Sequence, residues 1–396
     1  MRGEGLLAQL RFSRQAWVDE RCRSVLARAT PLVEDRLRPY GLEALFLAGS
    51  AACGQAVGWN GSAPFVLSDL DLGAITARRV GPETLEPLYR DLGTARQDSA
   101  DPEVTVGVYA EEVLQRQVPT PGLFDAVAYR CVLLGEASWL SRFPMDSGLS
   151  SWEAYRLVGN RSRELLGAHP EGDGRGLLHA SSSRRGVEAA FLLAKLAEGV
   201  GTAWLLAHGR YVSDRQARWE MLGRKEVPSR LREAALGAIP FLESPDPEHL
   251  LAVSLMDVRW ALSELFRVTG RPQGVGVAAA YEYDPFGLRD RLRAWRRQAP
   301  HRKERLAWVW RSRFRGTPEA RELGAAVLYW LALPERPEPD WGDVQDDFDG
   351  GYQLHGPAAD PSVWDLSARL LGTRIDPGAG AKDRLRRCLG RPESAI

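Results

Sequence analysis

Apolar residues recur at helical spacing from residue 5 to residue 40, and the pattern stops at Pro39-Tyr40-Gly41. The period then changes. Leu45-Phe46-Leu47-Ala48 is a continuous apolar run ending in Gly49-Ser50, which predicts a buried strand followed by a turn. Residues 50–57 suit a short helix, and residues 58–64 (Gly-Trp-Asn-Gly-Ser-Ala-Pro) read as a loop. Val66 to Ile75 alternates as a second strand and Val104 to Tyr109 as a third. Between them, Pro82, Leu85, Leu88 and Leu92 trace one face of an amphipathic helix. From Ser151 onward strand signals nearly vanish. Helical periodicity covers 152–167, 184–208, 213–223, 229–237 and 248–268, with glycine-rich breaks at 170–176 and 270–276. The expected fold class is α+β. A mixed-sheet domain with an N-terminal helix spans 1–145, a helical domain spans 146–285, and a mostly helical C-terminal extension covers 286–396.

Composition narrows the function classes. A 44% hydrophobic share and 13 tryptophans are enough for proper cores, which excludes a disordered chain. Lys+Arg and Asp+Glu both total 52, so the formal charge is zero and argues against a general binder of nucleic acid or membrane surfaces. The balance hides two features. Only four cations are lysines (Lys195, Lys225, Lys303, Lys382) against 48 arginines, and a basic segment at 286–321 precedes an acidic one at 335–365. Both segments read as solvated or mutually paired surface. Trp295, Trp308, Trp310 and Trp330 read as core residues of C-terminal helices, a stacking, basic nucleic-acid surface being the alternative. No run approaches 18 apolar residues, so no membrane span is expected, and the N-terminus lacks the features of a signal peptide. Cys22, Cys53, Cys131 and Cys388 form no CxxC pair and fit reduced thiols in a cytoplasmic protein. The six histidines are dispersed, and no HExxH, Walker A or GxSxG motif occurs. Asp346-Asp347-Phe348-Asp349-Gly350 is out of register for a calcium loop and reads as an acidic loop.

The informative stretch is Leu47-Ala48-Gly49-Ser50, followed by Ser68-Asp69-Leu70-Asp71-Leu72. A strand that ends in Gly-Ser and turns into a helix aims backbone N–H groups and a hydroxyl at one spot, which suits phosphate oxygens. Glycine lets the backbone approach closely. Asp69 and Asp71, two apart on a strand, project from the same face. Leu67, Leu70, Leu72 and Ile75 bury that strand, so two like charges there call for a cation. Oxygen-only ligands of this kind suit Mg²⁺, which takes a couple of carboxylates plus substrate phosphates. Glu103, at the mouth of the third strand, supplies a third acid as general base or further metal ligand.

Gly49-Ser50, Ser68-Asp69-Leu70-Asp71-Leu72 and the acidic third strand together resemble the DNA polymerase beta-type nucleotidyltransferase superfamily. Glu103-Val104-Thr105-Val106, the stretch 121–135 ending in Val132-Leu133-Leu134-Gly135, and Gly209-Arg210-Tyr211-Val212-Ser213 are most similar to its aminoglycoside adenylyltransferase branch. The resemblance implies a nucleotidyltransferase fold in the N-terminal domain and a nucleotide cleft closed by the helical domain. It implies Gly49 and Ser50 on the nucleotide phosphates, Asp69, Asp71 and Glu103 as metal ligands, and Glu103 as base. The implied cofactor is Mg²⁺, two ions, with Mn²⁺ as a substitute. The partners would be a nucleoside triphosphate, most simply ATP, and a hydroxyl acceptor. The chain departs from the pattern at four places, the first being that the Gly-Leu-Lys-Pro that often precedes the aspartates in that branch is missing. Trp59–Pro64 lengthens the distance from Ser50 to Asp69, and the lysine that follows Val-Ser in that branch is Asp214 here. The third acid of many superfamily members falls on Thr105. The resemblance does not extend beyond about residue 270.

Three further residues carry two readings each. Lys195 is the lone cation in Val187–Ala197, either a phosphate-reaching lysine or the partner of Glu188. Tyr211 either stacks on a base or packs, and Arg161 is a weaker phosphate candidate. The competing class is a non-catalytic nucleotide-binding or regulatory protein on the same fold.

Overall fold

The computed structural model describes residues 7–269, without 8, 116, 118, 146–147, 150–151, 169–183, 248 and 250–254. The C-terminal extension, both charge blocks, the 346–350 loop and Trp295, Trp308, Trp310 and Trp330 lie outside the described residues. Within them the fold is α+β around a mixed sheet of four strands.

The sheet order is β5-β4-β1-β6, from β1 (Leu42–Ala48), β4 (Leu70–Thr76), β5 (Val104–Ala110) and β6 (Val132–Gly135). The central β1 runs antiparallel to both β4 and β6, whereas β5 is parallel to β4. Side chains alternate along β1. Leu45 and Leu47 pack against helix α1 (Ala16–Leu37) and helix α3 (Pro82–Ala95). Ala44 and Phe46 face the opposite layer, containing Leu114 of the short helix α4 (Glu111–Leu114), Leu123 and Ala126 of helix α5 (Pro121–Tyr129), Leu140 and Phe143. Both faces of the sheet are thus covered. Each wholly buried Leu or Phe in these layers contributes about 1.5–3 kcal/mol relative to exposure.

Helix α1 starts later than the apolar period suggests. Residues 10–15 lie outside any helix, because Asp19 Oδ1 accepts from the Phe12 and Ser13 amides. Ser13 Oγ then donates to Ala56 O, and Ala56 N to Phe12 O, so this segment pairs with a distant one. The predicted 50–57 helix shrinks to α2 (Gly49–Ala52), and the expected loop at 58–64 belongs to a small hairpin. Its strands β2 (Gly58–Trp59) and β3 (Phe65–Val66) pair antiparallel. Trp59 and Phe65 are buried among the helices, Trp59 with its ring centroid 6.5 Å from that of Phe241. A local reading sees mostly turn formers there, around the single Trp59. The apolar surface that makes the hairpin worthwhile comes from residues far along the chain.

The helical half is centred on α7 (Arg184–Ala207), packed by α6 (Trp152–Ala168), α9 (Ser229–Glu243) and α10 (Leu255–Thr269). Its Gly186–Ala207 stretch is long and apolar enough to cross a membrane, but 83% of the apolar window is buried inside the fold. That is the signature of a core helix. The short helix α8 (Arg215–Leu222) follows α7, capped by Asp214 Oδ1 accepting from Ala217 N at 2.7 Å.

Candidate active site

The β4–β5 ladder builds the floor of a cavity of about 540 Å³ between the sheet and the helical half. Asp71 sits beside Thr105 in register, and Gly73 beside Gly107. The alternation that turns Leu72 and Ala74 into the core therefore turns Asp71, Gly73, Thr105 and Gly107 toward the cavity. Asp71 is the one exposed residue of an otherwise buried strand. Gly73 makes room for the Phe46 ring, which would lie 2.1 Å from a Cβ there, and Gly107 lies beside Tyr109.

Ala48, the last residue of β1, pairs with Asp71, so the chain leaves β1 directly beside the carboxylates. Gly49 there has φ +67°, and a Cβ on it would lie 2.9 Å from Asp71 Oδ2. Only glycine meets both demands, the left-handed backbone and the close approach. Ser50 follows on the cavity wall, and its hydroxyl has no hydrogen-bond partner among the described residues.

Asp69 stands just before β4 and faces the same cavity. Water reaches it through the cleft, yet the surrounding protein removes enough solvent to raise its carboxyl above the usual range. Lys195 opposes that rise, and Asp71 adds to it. Thr105 Oγ1 donates to Asp71 Oδ1 at 2.8 Å and so orients that carboxylate.

Glu103 is placed differently. Its backbone oxygen accepts from Leu70 N at 2.7 Å, level with the aspartates, but its side chain lies outside the cavity lining. That side chain is 69% exposed and paired with Arg96 at 3.1 Å. Sequence order puts three acids together; the structure brings two of them onto the floor and turns the third outward.

Lys195 lines the cavity from α7. Glu188, its alternative partner, is taken by Arg184 at 2.7 Å. The Lys195 ammonium lies 4.7 Å from the Phe191 ring centroid and makes no hydrogen bond or ion pair among the described residues. Burial and then the Arg161 guanidinium lower its pKa, while Asp69, Glu164 and Asp71 pull it back up. Arg161 also lines the cavity and is bound to Glu164 at 2.6 Å.

Tyr211 lines the cavity too, but its groups are engaged. Its hydroxyl donates to Asp125, 2.8 Å from Oδ2, and accepts from Arg218 Nη1 at 3.1 Å. The ring meets Phe124 edge-on and carries the Arg218 guanidinium 4.8 Å from its centroid. Arg218 also donates to Val212 O and Ser213 O, and Tyr129 OH donates to Ser213 O. This network clamps the 211–213 turn of the helical half onto α5 of the sheet half. Burial raises the Asp125 carboxyl to about 6, with Arg218 holding it back.

Sequence reasoning assigned no role to Asp125, Arg215, Arg218 or Glu198, all on the cavity wall. Asp125 left a signal like that of Lys195, a single acid in the apolar helix Pro121–Tyr129. Arg215 and Arg218, three apart on one helical face, are lost among 48 arginines. Arg215 stacks on Trp219 at 4.6 Å and makes no hydrogen bond or ion pair among the described residues. Cys53 lies on the wall as well, and the three described cysteines are free.

No model of a known protein family matches the chain, and no curated protein matches it. What the cavity does must therefore be argued from its chemistry.

Proposed function

We propose that the chain is a metal-dependent nucleotidyltransferase that moves a nucleoside monophosphate, most simply AMP from ATP, onto a hydroxyl acceptor. The observation that carries this reading is the convergence of the Gly49-Ser50 turn, two adjacent carboxylates and Lys195 on one cavity. Asp69 and Asp71 suit a Mg²⁺ or Mn²⁺ ion, since such ions take one or two carboxylates plus substrate phosphates. That ion, when bound, neutralises phosphate charge and sharpens the electrophilic phosphorus. The Ser50 hydroxyl, the neighbouring amides and Lys195 would bind the phosphate oxygens. The acceptor oxygen bonds to the α-phosphorus as the bond to the β-phosphate bridging oxygen breaks, and pyrophosphate leaves. The acceptor proton passes to Glu103. The surface ion pair that turns Glu103 outward is worth about 0–1 kcal/mol, so swinging it inward costs little. The reading assigns the protein to the cytoplasm, with a small molecule favoured over a nucleic acid as acceptor and no membrane partner.

The test is Mg²⁺-dependent pyrophosphate release from each nucleoside triphosphate in the presence of cell extract. The double change Asp69→Asn/Asp71→Asn should abolish it, and turnover that survives would remove the assigned site. Glu103→Gln should keep nucleotide binding and lose roughly 10²–10⁴ in rate. A second reading, nucleotide binding without transfer, draws on the outward Glu103 and on Thr105 at the third position. Tight nucleotide binding with no turnover in any extract would favour it.

A further inference from the structure

A pair of metal ions does not fit the donor set on the cavity floor. Two-ion sites hold their metals about 3.5–4 Å apart and need anionic ligands enough for both. Thr105, in register beside Asp71, has a neutral oxygen at the position where a third carboxylate would complete such a set. Its hydroxyl is moreover donated to Asp71 Oδ1 at 2.8 Å, which commits one lone pair of that carboxylate. Glu103 is turned to Arg96 and does not line the cavity. The remaining wall carboxylates are already engaged: Asp125 by Tyr211, Glu164 by Arg161 and Glu198 by Thr202. Among the described residues, no group of three or more His, Cys, Asp or Glu side chains is gathered to hold a metal.

The cationic side of the site is correspondingly provided by the chain. Lys195 reaches the same cavity, couples electrostatically to Asp69, Glu164 and Asp71, and has no ion pair among the described residues. One divalent ion balances the two aspartates.

We propose that the site works with a single divalent cation, held by Asp69 and Asp71 with the nucleotide phosphates, and that Lys195 supplies the positive charge a second ion would bring. Glu103 then serves as base but not as metal ligand. Lysine suits this role because its charge is compact, close to that of a small ion, whereas the 48 arginines of the chain carry a broad planar fork. This inference rests on the nucleotidyl-transfer reading above.

The experiment counts Mn²⁺ bound to the full chain by electron paramagnetic resonance. Each of the four α,β-methylene nucleoside triphosphates is supplied at saturation in turn. One Mn²⁺ per bound nucleotide is expected, including the ion that travels with it; two in the wild type would overturn the proposal. Failure of all four analogues to bind would sink the nucleotidyl-transfer reading itself, and the proposal with it. Thr105→Asp restores a third carboxylate and should raise the count to two, whereas Thr105→Val should leave it at one. A count of one in Thr105→Asp would show that this position does not decide the stoichiometry. Lys195→Met should keep the circular dichroism spectrum and weaken binding of the Mn²⁺-nucleotide at least tenfold. Unchanged affinity would remove Lys195 from the role.

Discussion

Replacing Gly49 by alanine separates backbone strain from damage to the site. Gly49 has φ +67°, a left-handed conformation that costs an L-residue about 1–2 kcal/mol. Its added methyl would also lie 2.9 Å from Asp71 Oδ2, well inside an ordinary contact. The carboxylate must then retreat by roughly 0.5 Å to restore normal van der Waals separation, and the Thr105 hydrogen bond restrains that retreat. Gly209 is the natural control, with φ +65° and nothing within 4 Å of the point where an alanine methyl would stand. Both variants should lose about 1–2 kcal/mol, a fall in Tm of about 2–8 °C by differential scanning fluorimetry. Only Gly49→Ala should weaken Mn²⁺-nucleotide binding, on the order of 10–100-fold, as expected when the groups that orient a ligating carboxylate are disturbed. Titration calorimetry reads that difference. Equal affinities for the two variants would refute the argument that Gly49 is required by its approach to Asp71.

Three other predictions test the surrounding framework. The Asp125 carboxyl stands at about 6, pushed up by burial, against about 3.9 in an unfolded chain. The native state therefore binds this proton more tightly, and stability is lost as pH rises from about 4 through 6. Asp125→Asn keeps an acceptor for the Tyr211 hydroxyl but has no proton to lose. Urea unfolding should find the two proteins alike near pH 4 and the variant more stable by about 1–3 kcal/mol at pH 8, so a gain independent of pH would rule this out. Arg218→Met takes a donor from Tyr211, Val212 O and Ser213 O and should cost about 3–5 kcal/mol; a loss under about 1 kcal/mol in the same assay would show that the clamp is weak. Trp59→Ala empties the hairpin's anchor beside Phe241 and should cost about 3–5 kcal/mol in chemical denaturation. A near-neutral result would mean that the hairpin does not hold the two halves together.

Period and turn chemistry are properties of a few consecutive residues, and they were enough for much of this chain. The apolar run into Gly49-Ser50 and the alternation around Asp69 and Asp71 marked β1, β4 and the turn between sheet and cavity. The single cation in an apolar helix singled out Lys195, and the helices of the second half followed from their spacing. Tertiary structure decided what those signals could not. Glu103, just before β5, and Thr105, its second residue, are two apart in the chain, yet Thr105 meets Asp71 while Glu103 pairs outward with Arg96. Lys195 faced two partners on paper until Arg184 claimed Glu188. The hairpin at 58–66 exists because Trp59 and Phe65 find the helical core, and the Asp125–Tyr211–Arg218 clamp joins residues some 90 positions apart. For the Thr105–Asp71 bond, the hairpin and the clamp the deciding energy is a contact between distant segments, so short-range periodicity carries no trace of it, whereas the Arg184–Glu188 pair is an i,i+4 contact within one helix.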